Sequence, residues 1–171
     1  MALLQGFVTA DKKAQNLTAF DCGEPGMNRF LARFACRDMK LGISATWVLP
    51  TDEAAVDGKV QVAAYYTLAS ATVRREEIPQ KRLPPYAIPV TLLAKLAVDT
   101  AYQNRRLGEK TLVSALRHAV RLTDTGLPAV GVTLDILNDD ALRFYRKFEI
   151  FEPFSNDPMR LFVPMQVLRS I

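Results

Sequence analysis

A chain of 171 residues, 49% apolar and with a formal charge of +4, has the length and core content of one domain spanning residues 1–171. No apolar run is long enough to cross a bilayer. Two cysteines, Cys22 and Cys36, and a single histidine make neither a disulfide framework nor a zinc pattern, so no metal is expected. The basicity, with a pI near 9.2, is compatible with a nucleic-acid partner without requiring one. Met1 to Gly6 has no basic n-region and no full apolar stretch, so no signal peptide is expected and the predicted location is cytoplasmic.

Phe7-Val8 opens a first strand. Asp21-Cys22-Gly23-Glu24-Pro25 is a turn and helix start, with Pro25 near the first helical position. Met27, Phe30, Leu31 and Phe34 keep helical spacing, which predicts a helix from about Glu24 to Met39. Ala45 to Leu49 reads as a strand closed by Pro50. Asp57-Gly58 is a hairpin turn signal, and Val60 to Ala69 is the returning strand. Pro79, Pro84, Pro85 and Pro89 break the stretch up to Val90 into a long connection, or a loop over a site. Leu92 to Val98 reads as a buried strand, and Gln103 to Gly108 as a turn into a helix carrying Leu112, Val113, Leu116 and Val120 on one face. Thr125-Gly126 ends that helix. Ala129 to Leu137 is nearly continuous in apolar residues, as in a strand covered on both faces. Asn138-Asp139 caps a short helix with Ala141, Leu142, Phe144 and Tyr145. Phe162 to Met165 suggests a last strand. The order implies a mixed α/β sheet.

Residues Gln103-Asn104-Arg105-Arg106-Leu107-Gly108-Glu109 follow a strand and open a helix, where backbone N–H groups can hold two phosphates without a metal. Together with Asn138 and Tyr145 downstream, this resembles the GNAT family of acetyl-CoA-dependent N-acetyltransferases. The family pattern is Arg or Gln, two variable residues, Gly, one variable residue, then Gly or Ala. Gln103 and Gly108 match, whereas Arg106 stands in place of a glycine. Phe148-Glu149-Ile150-Phe151 also departs from the usual Gly-Phe. Further segments resemble the GNAT toxins of toxin–antitoxin pairs: Phe20-Asp21-Cys22-Gly23 with Asn28, Phe30 and Leu31, then Ala64 to Ser70, Ile88-Pro89-Val90, and Leu96 to Asp99.

The resemblance implies an α/β (α+β) GNAT fold with a mixed, mostly antiparallel central sheet flanked by helices. It implies transfer of an acetyl group from acetyl-CoA to the α-amine of an aminoacyl-tRNA, which blocks translation. The implied partners are a ribbon-helix-helix antitoxin encoded alongside, a second copy in a homodimer, and operator DNA only through the antitoxin complex. It places pantetheine along Leu96, Ala97 and Val98, whose N–H groups polarise the thioester oxygen. It puts the pyrophosphate on Gln103 to Glu109, a coenzyme hydrogen bond on Asn138, and the general acid at Tyr145.

A protein base is not demanded by this chemistry. A free α-amine titrates near about 8, so roughly a tenth is neutral at pH 7, whereas a lysine amine near about 10.4 needs more help. Glu24, Glu76 and Glu77 are unassigned possibilities, and His118, Cys22 and Cys36 read as structural. Arg29, Arg33, Arg37 and Lys40 recur at helical spacing along one side of the first helix, and Arg74-Arg75, with Lys81-Arg82, add charge around the proline-rich segment; the first helix and Arg74-Arg75 are candidate nucleic-acid contacts. Two alternatives stay open: a GNAT acting on a protein or small-molecule amine, and a toxin-like binder that has lost turnover. Arg106 bears on the choice, because it either pairs with a phosphate or spoils the coenzyme site.

Overall fold

The computed structural model describes residues 6–171. The start of the chain, on which the expectation of no signal peptide rests, lies outside the described residues apart from Gly6. In chain order the elements are β1 (Val8–Thr9), α1 (Pro25–Arg29), a π-helical segment (Phe30–Phe34), α2 (Ala35–Leu41), β2 (Ala45–Pro50), β3 (Val62–Val73) and β4 (Ile88–Val98). There follow α3 (Leu107–Asp124), β5 (Gly131–Asp135), α4 (Asp139–Arg146), β6 (Glu152–Phe154), β7 (Asp157–Pro164) and α5 (Met165–Leu168). The strands form a mixed sheet in the order β1-β2-β3-β4-β5-β7-β6. β4 and β5 are parallel, with Thr91 opposite Val132. The pairs β1/β2, β2/β3, β5/β7 and β6/β7 are antiparallel.

The predicted first helix is present but is not one α-helix. The Ala35 N–H reaches back five residues to the Phe30 carbonyl in the π-helical segment, a device that hydrophobic spacing does not reveal. The helix ends at Gly42, whose left-handed φ of 75° suits a residue without a Cβ. The Asp57-Gly58 turn is there: both residues are left-handed, and Val56 and Lys59 exchange two N–H···O bonds of 3.0 Å, as a two-residue hairpin turn requires. The strand after it, β3, runs to Val73 rather than Ala69. Pro89 does not break the chain before β4; it is the second residue of that strand and accepts a bond from the Val130 N–H at 2.9 Å through its carbonyl. β6 escaped the sequence reading, since it is only three residues long and carries Pro153. The last strand begins earlier than expected and stops at Pro164, so Met165 opens α5 instead.

The chain divides into two compact units. One comprises the chain up to Ala69 with Lys95–Ala115, and the other Ser70–Ala94 with Leu116–Ile171. In the first, Phe20, Leu31, Ala35, Val48, Tyr65 and Ala97 form a buried cluster. The Tyr65 hydroxyl donates to the Met27 carbonyl at 2.8 Å, which satisfies the polar end of a buried ring. Leu49, Ala63, Ala64, Tyr102 and Leu107 form a second cluster, which anchors the start of α3. In the second unit the core is built from Val73, Ile78, Ile88, Val90, Phe154 and Phe162. β5 is buried from Gly131 to Leu134, as its apolar run predicted. Gly131 has a packing reason: a Cβ there would lie 2.2 Å from the Val163 carbonyl oxygen and 2.6 Å from the Phe162 ring. The core face of α3 is made by Leu112, Ala115, Leu116 and Ala119, whereas Val113 and Val120 of the predicted face are only half-buried.

Candidate functional site

The end of β4 is less enclosed than a buried strand. Ala97 is covered, while Leu96 and Val98 are half-buried. Asp99 then caps a single 3-10 turn, Thr100–Tyr102, by accepting from the Ala101 N–H at 2.9 Å. Beyond Gln103 the backbone turns left-handed twice, at Asn104 (φ 66°) and at Arg106 (φ 57°). Asparagine tolerates that region; for arginine it costs about 1–2 kcal/mol. The Arg106 carbonyl accepts from the Lys110 N–H at 3.1 Å, so Arg106 is the N-cap of α3. It brings no side-chain acceptor to that position and places a cation at the positive end of an 18-residue helix. Three local disadvantages thus meet in one residue, and an anion at the loop offsets two of them directly.

Successive N–H groups in a tight turn at a helix start make an anion-binding concavity. Residues 103–109 could therefore hold a pyrophosphate. The side chains of the loop are disposed differently from one another. Gln103 turns its amide away to donate to the Val98 carbonyl at 2.9 Å and the Cys22 carbonyl at 3.2 Å. The Arg105 guanidinium lies over the Tyr102 ring, 5.6 Å from its centroid. Arg106 and Glu109 are exposed, Leu107 is buried, and Gly108 is half-buried in the first turn.

In the second unit, Asn138 is the N-cap of α4 and accepts from the Ala141 N–H at 2.9 Å. Tyr145 is 8% exposed and makes edge-on contacts with Phe144 and Phe151, at centroid distances of 5.0 and 5.7 Å. Burial pushes its phenol well above the ordinary range, because a phenolate would lose its hydration. The group therefore stays protonated at neutral pH.

Arg29, Arg33, Arg37 and Lys40 are all exposed. Arg37 is committed: its Nε and Nη2 donate to one oxygen of Asp38 at 3.0 and 2.8 Å, and it sits 4.6 Å from the Phe34 ring centroid. A hollow of about 250 Å³ is lined by Lys12, Ala32, Arg33, Cys36, Arg37 and Lys40. Lys12 escaped the sequence reading because it lies in a separate turn. The Asp11 carbonyl fixes that turn, accepting from the Ala14 and Gln15 N–H groups at 3.1 and 2.9 Å. Arg74 and Arg75 line a different hollow, of about 570 Å³, with Glu76, Glu77 and Tyr86. There the cations are neutralised: Arg74 meets Glu77 at 3.4 Å and Arg75 meets Glu76 at 3.3 Å.

Glu76 and Glu77 are poor bases, since hydrogen bonds hold both carboxyls below the usual range: chiefly its own N–H for Glu76, and the Arg74 N–H for Glu77. Burial pushes the Cys22 thiol up and away from nucleophile chemistry. His118 is held toward its neutral form by burial and by Arg121. Among the described residues no helix is long and apolar enough to cross a membrane.

No family model matches the sequence. A tRNA-acetylating toxin of Mycobacterium tuberculosis (strain ATCC 25618 / H37Rv) is 34% identical over 161 residues, 92% of this chain and 91% of the relative. The structure of AtaT complexed with acetyl-methionyl-tRNAfMet matches with a TM-score of 0.83 and 25% identity, covering 98% of each chain. The structure of AtaTR bound with AcCoA matches with a TM-score of 0.81 and 26% identity, over 99% of this chain and 97% of that one. The expected GNAT fold, α+β with a mixed sheet, is the fold of these proteins. Likeness to a tRNA-acetylating toxin over nearly the whole of both chains means that this chain belongs to the GNAT-type family of tRNA-acetylating toxins.

Proposed function

We propose that this protein is a toxin that moves the acetyl group of acetyl-CoA to the α-amine of an aminoacyl-tRNA and so stops translation. The observation that carries the reading is the 34% identity to a tRNA-acetylating toxin over 92% of the chain. The anion-binding loop at residues 103–109 and the buried phenol of Tyr145 supply the two features that the chemistry asks of the protein.

Acetyl-CoA supplies an activated acyl group. Residues 103–109, with Arg106, hold its phosphates. Leu96, Ala97 and Val98 orient the arm and polarise the thioester through strand N–H groups, and Asn138 adds a hydrogen bond. The amine nitrogen forms the new amide bond as the carbon–sulfur bond breaks. One proton passes from the ammonium to water, Tyr145 gives its proton to the departing sulfur, and the proton that the nitrogen sheds as the amide forms returns to Tyr145 through water. The α-amine is neutral often enough to react without a protein base.

Arg29, Arg33, Arg37 and Lys40, joined by Lys12, offer charge to a tRNA backbone. Arg74 and Arg75 contribute less, because Glu76 and Glu77 offset them. Residues 1–171 serve as a single acetyltransferase domain. A ribbon-helix-helix antitoxin neutralises the toxin, which works as a cytoplasmic homodimer and reaches operator DNA only through the antitoxin complex.

The test is acetylation of bulk charged tRNA with labelled acetyl-CoA. Transfer to the aminoacyl end is expected, and Tyr145→Phe should lower it by about 10²-fold or more. Label that appears on protein or on small amines, and never on charged tRNA, would overturn the assignment.

A further inference from the structure

Two stretches far apart in the chain are joined at the coenzyme loop by a closed set of side-chain hydrogen bonds. The Asp99 carboxylate accepts from the Asp21 N–H at 3.0 Å, across 78 residues. The Gln103 amide donates to the Cys22 carbonyl at 3.2 Å, across 81 residues. Between these two links the Thr100 N–H donates to the Asp21 carbonyl at 2.8 Å. The Asp21 side chain in turn accepts from the Gly23 N–H and from the Asn28 amide, each at 2.9 Å. The Asn28 oxygen closes the set by accepting from the Cys22 N–H at 2.9 Å. Three consecutive residues, Asp21 to Gly23, are therefore held on one side by α1 and on the other by the segment that leaves β4.

We propose that Asp21 and Asn28 are positioning residues for acetyl-CoA, acting through Asp99 and Gln103 on the loop that holds it. The proposal rests on the reading of residues 103–109 as the coenzyme loop. Asp21 and Asn28 touch none of those residues except through the partners named. The two bonds to the Asp21 carboxylate face water, so each adds little to global stability. What they restrict is local: the span from Asp99 to Arg106 carries two left-handed residues and a single 3-10 turn, and a loop of that kind needs outside braces to keep its N–H groups converged on one point. The bonds from Gly23 and Asn28 also keep the Asp21 carboxyl below the usual range, so the acceptor stays ionised at neutral pH. Because Asn28 lies on α1, the same braces tie the coenzyme loop to the helix that carries Arg29.

Calorimetric titration of the full chain with acetyl-CoA tests this, alongside thermal unfolding and the split between KM for acetyl-CoA and kcat. Asp21→Leu and Asn28→Leu should each weaken binding by about tenfold, a misplacement effect, and raise KM while kcat at saturation stays near that of the parent. Asp21→Asn keeps an oxygen acceptor for Gly23 and should bind within about twofold of the parent. If Asp21→Leu fails to fold, Asn28→Ala cuts the bonds to Cys22 and Asp21 with a smaller side chain and should show the same weakening. Leucine variants that fold and bind acetyl-CoA as the parent does overturn the proposal alone. A parent protein that binds no acetyl-CoA overturns the coenzyme-loop reading and the proposal with it.

Discussion

Replacing Arg106 by glycine should make this protein more stable and its grip on acetyl-CoA weaker. At φ 57° the arginine backbone sits in the left-handed region, at a cost of about 1–2 kcal/mol that glycine does not carry. Glycine is also the better N-cap residue, by a few tenths of a kcal/mol to about 1 kcal/mol over residues without a short acceptor. Against this, glycine gives the unfolded chain more freedom, an opposing effect of about 0.4–1 kcal/mol. Removing a cation from the positive end of α3 adds a small increment that salt screens. The net gain is about 1 kcal/mol, or a rise in Tm of roughly 2–4 °C for a chain of this size. Scanning calorimetry of the parent and Arg106→Gly in the same low-salt buffer measures it, and an unchanged or lower Tm refutes the strain argument. On the ligand side, a charge-assisted bond to phosphate of about 1.5–3 kcal/mol predicts an acetyl-CoA Kd raised by about tenfold or more in Arg106→Gly. A tighter Kd would instead mark Arg106 as an obstruction and favour the toxin-like binder.

Gly131→Ala should cost roughly 1–3 kcal/mol or more in urea unfolding, because the new methyl meets a backbone carbonyl at 2.2 Å; a midpoint equal to the parent's would show that β5 and β7 can separate cheaply. Lys12→Ala and Lys40→Ala should each flatten the salt dependence of tRNA binding, lowering the slope by roughly 0.7–0.9 for each phosphate no longer neutralised; an unchanged slope removes that residue from the interface. For His118 the folded pKa lies below the ordinary value of 6.5. The unfolded chain therefore takes up a proton first as pH falls. Stability should decline from about pH 6.5 down through the folded pKa, and His118→Gln should flatten the decline; a parent profile already flat in that window contradicts the shift.

Most of the element order was legible in the sequence, for reasons local to the chain. Alternating or continuous apolar runs mark strands such as β5, and Asp57-Gly58 marks a turn that needs two left-handed residues. The motif at Gln103–Gly108, read with Phe20–Gly23, pointed to the family because short-range spacing at a phosphate loop is itself a mechanical requirement. Sequence reasoning also flagged Arg106 as the odd residue, since an arginine in a glycine position is visible without a fold. Other features depended on partners chosen across long separations. The side chain of Gln103 is engaged by carbonyls of Val98 and Cys22, so it braces the loop. Lys12 joins Arg33 and Lys40 only because a turn fixed by Asp11 brings it beside the helix. The burial of the Tyr145 phenol, and the upward push on its pKa that follows, comes from neighbours that helical spacing alone does not specify. Local patterns in the chain thus determined the elements, the family and the anomaly at Arg106. Tertiary structure decided which polar atoms are already satisfied and which charges stand open, because hydrogen bonding and desolvation depend on neighbours in space rather than in sequence.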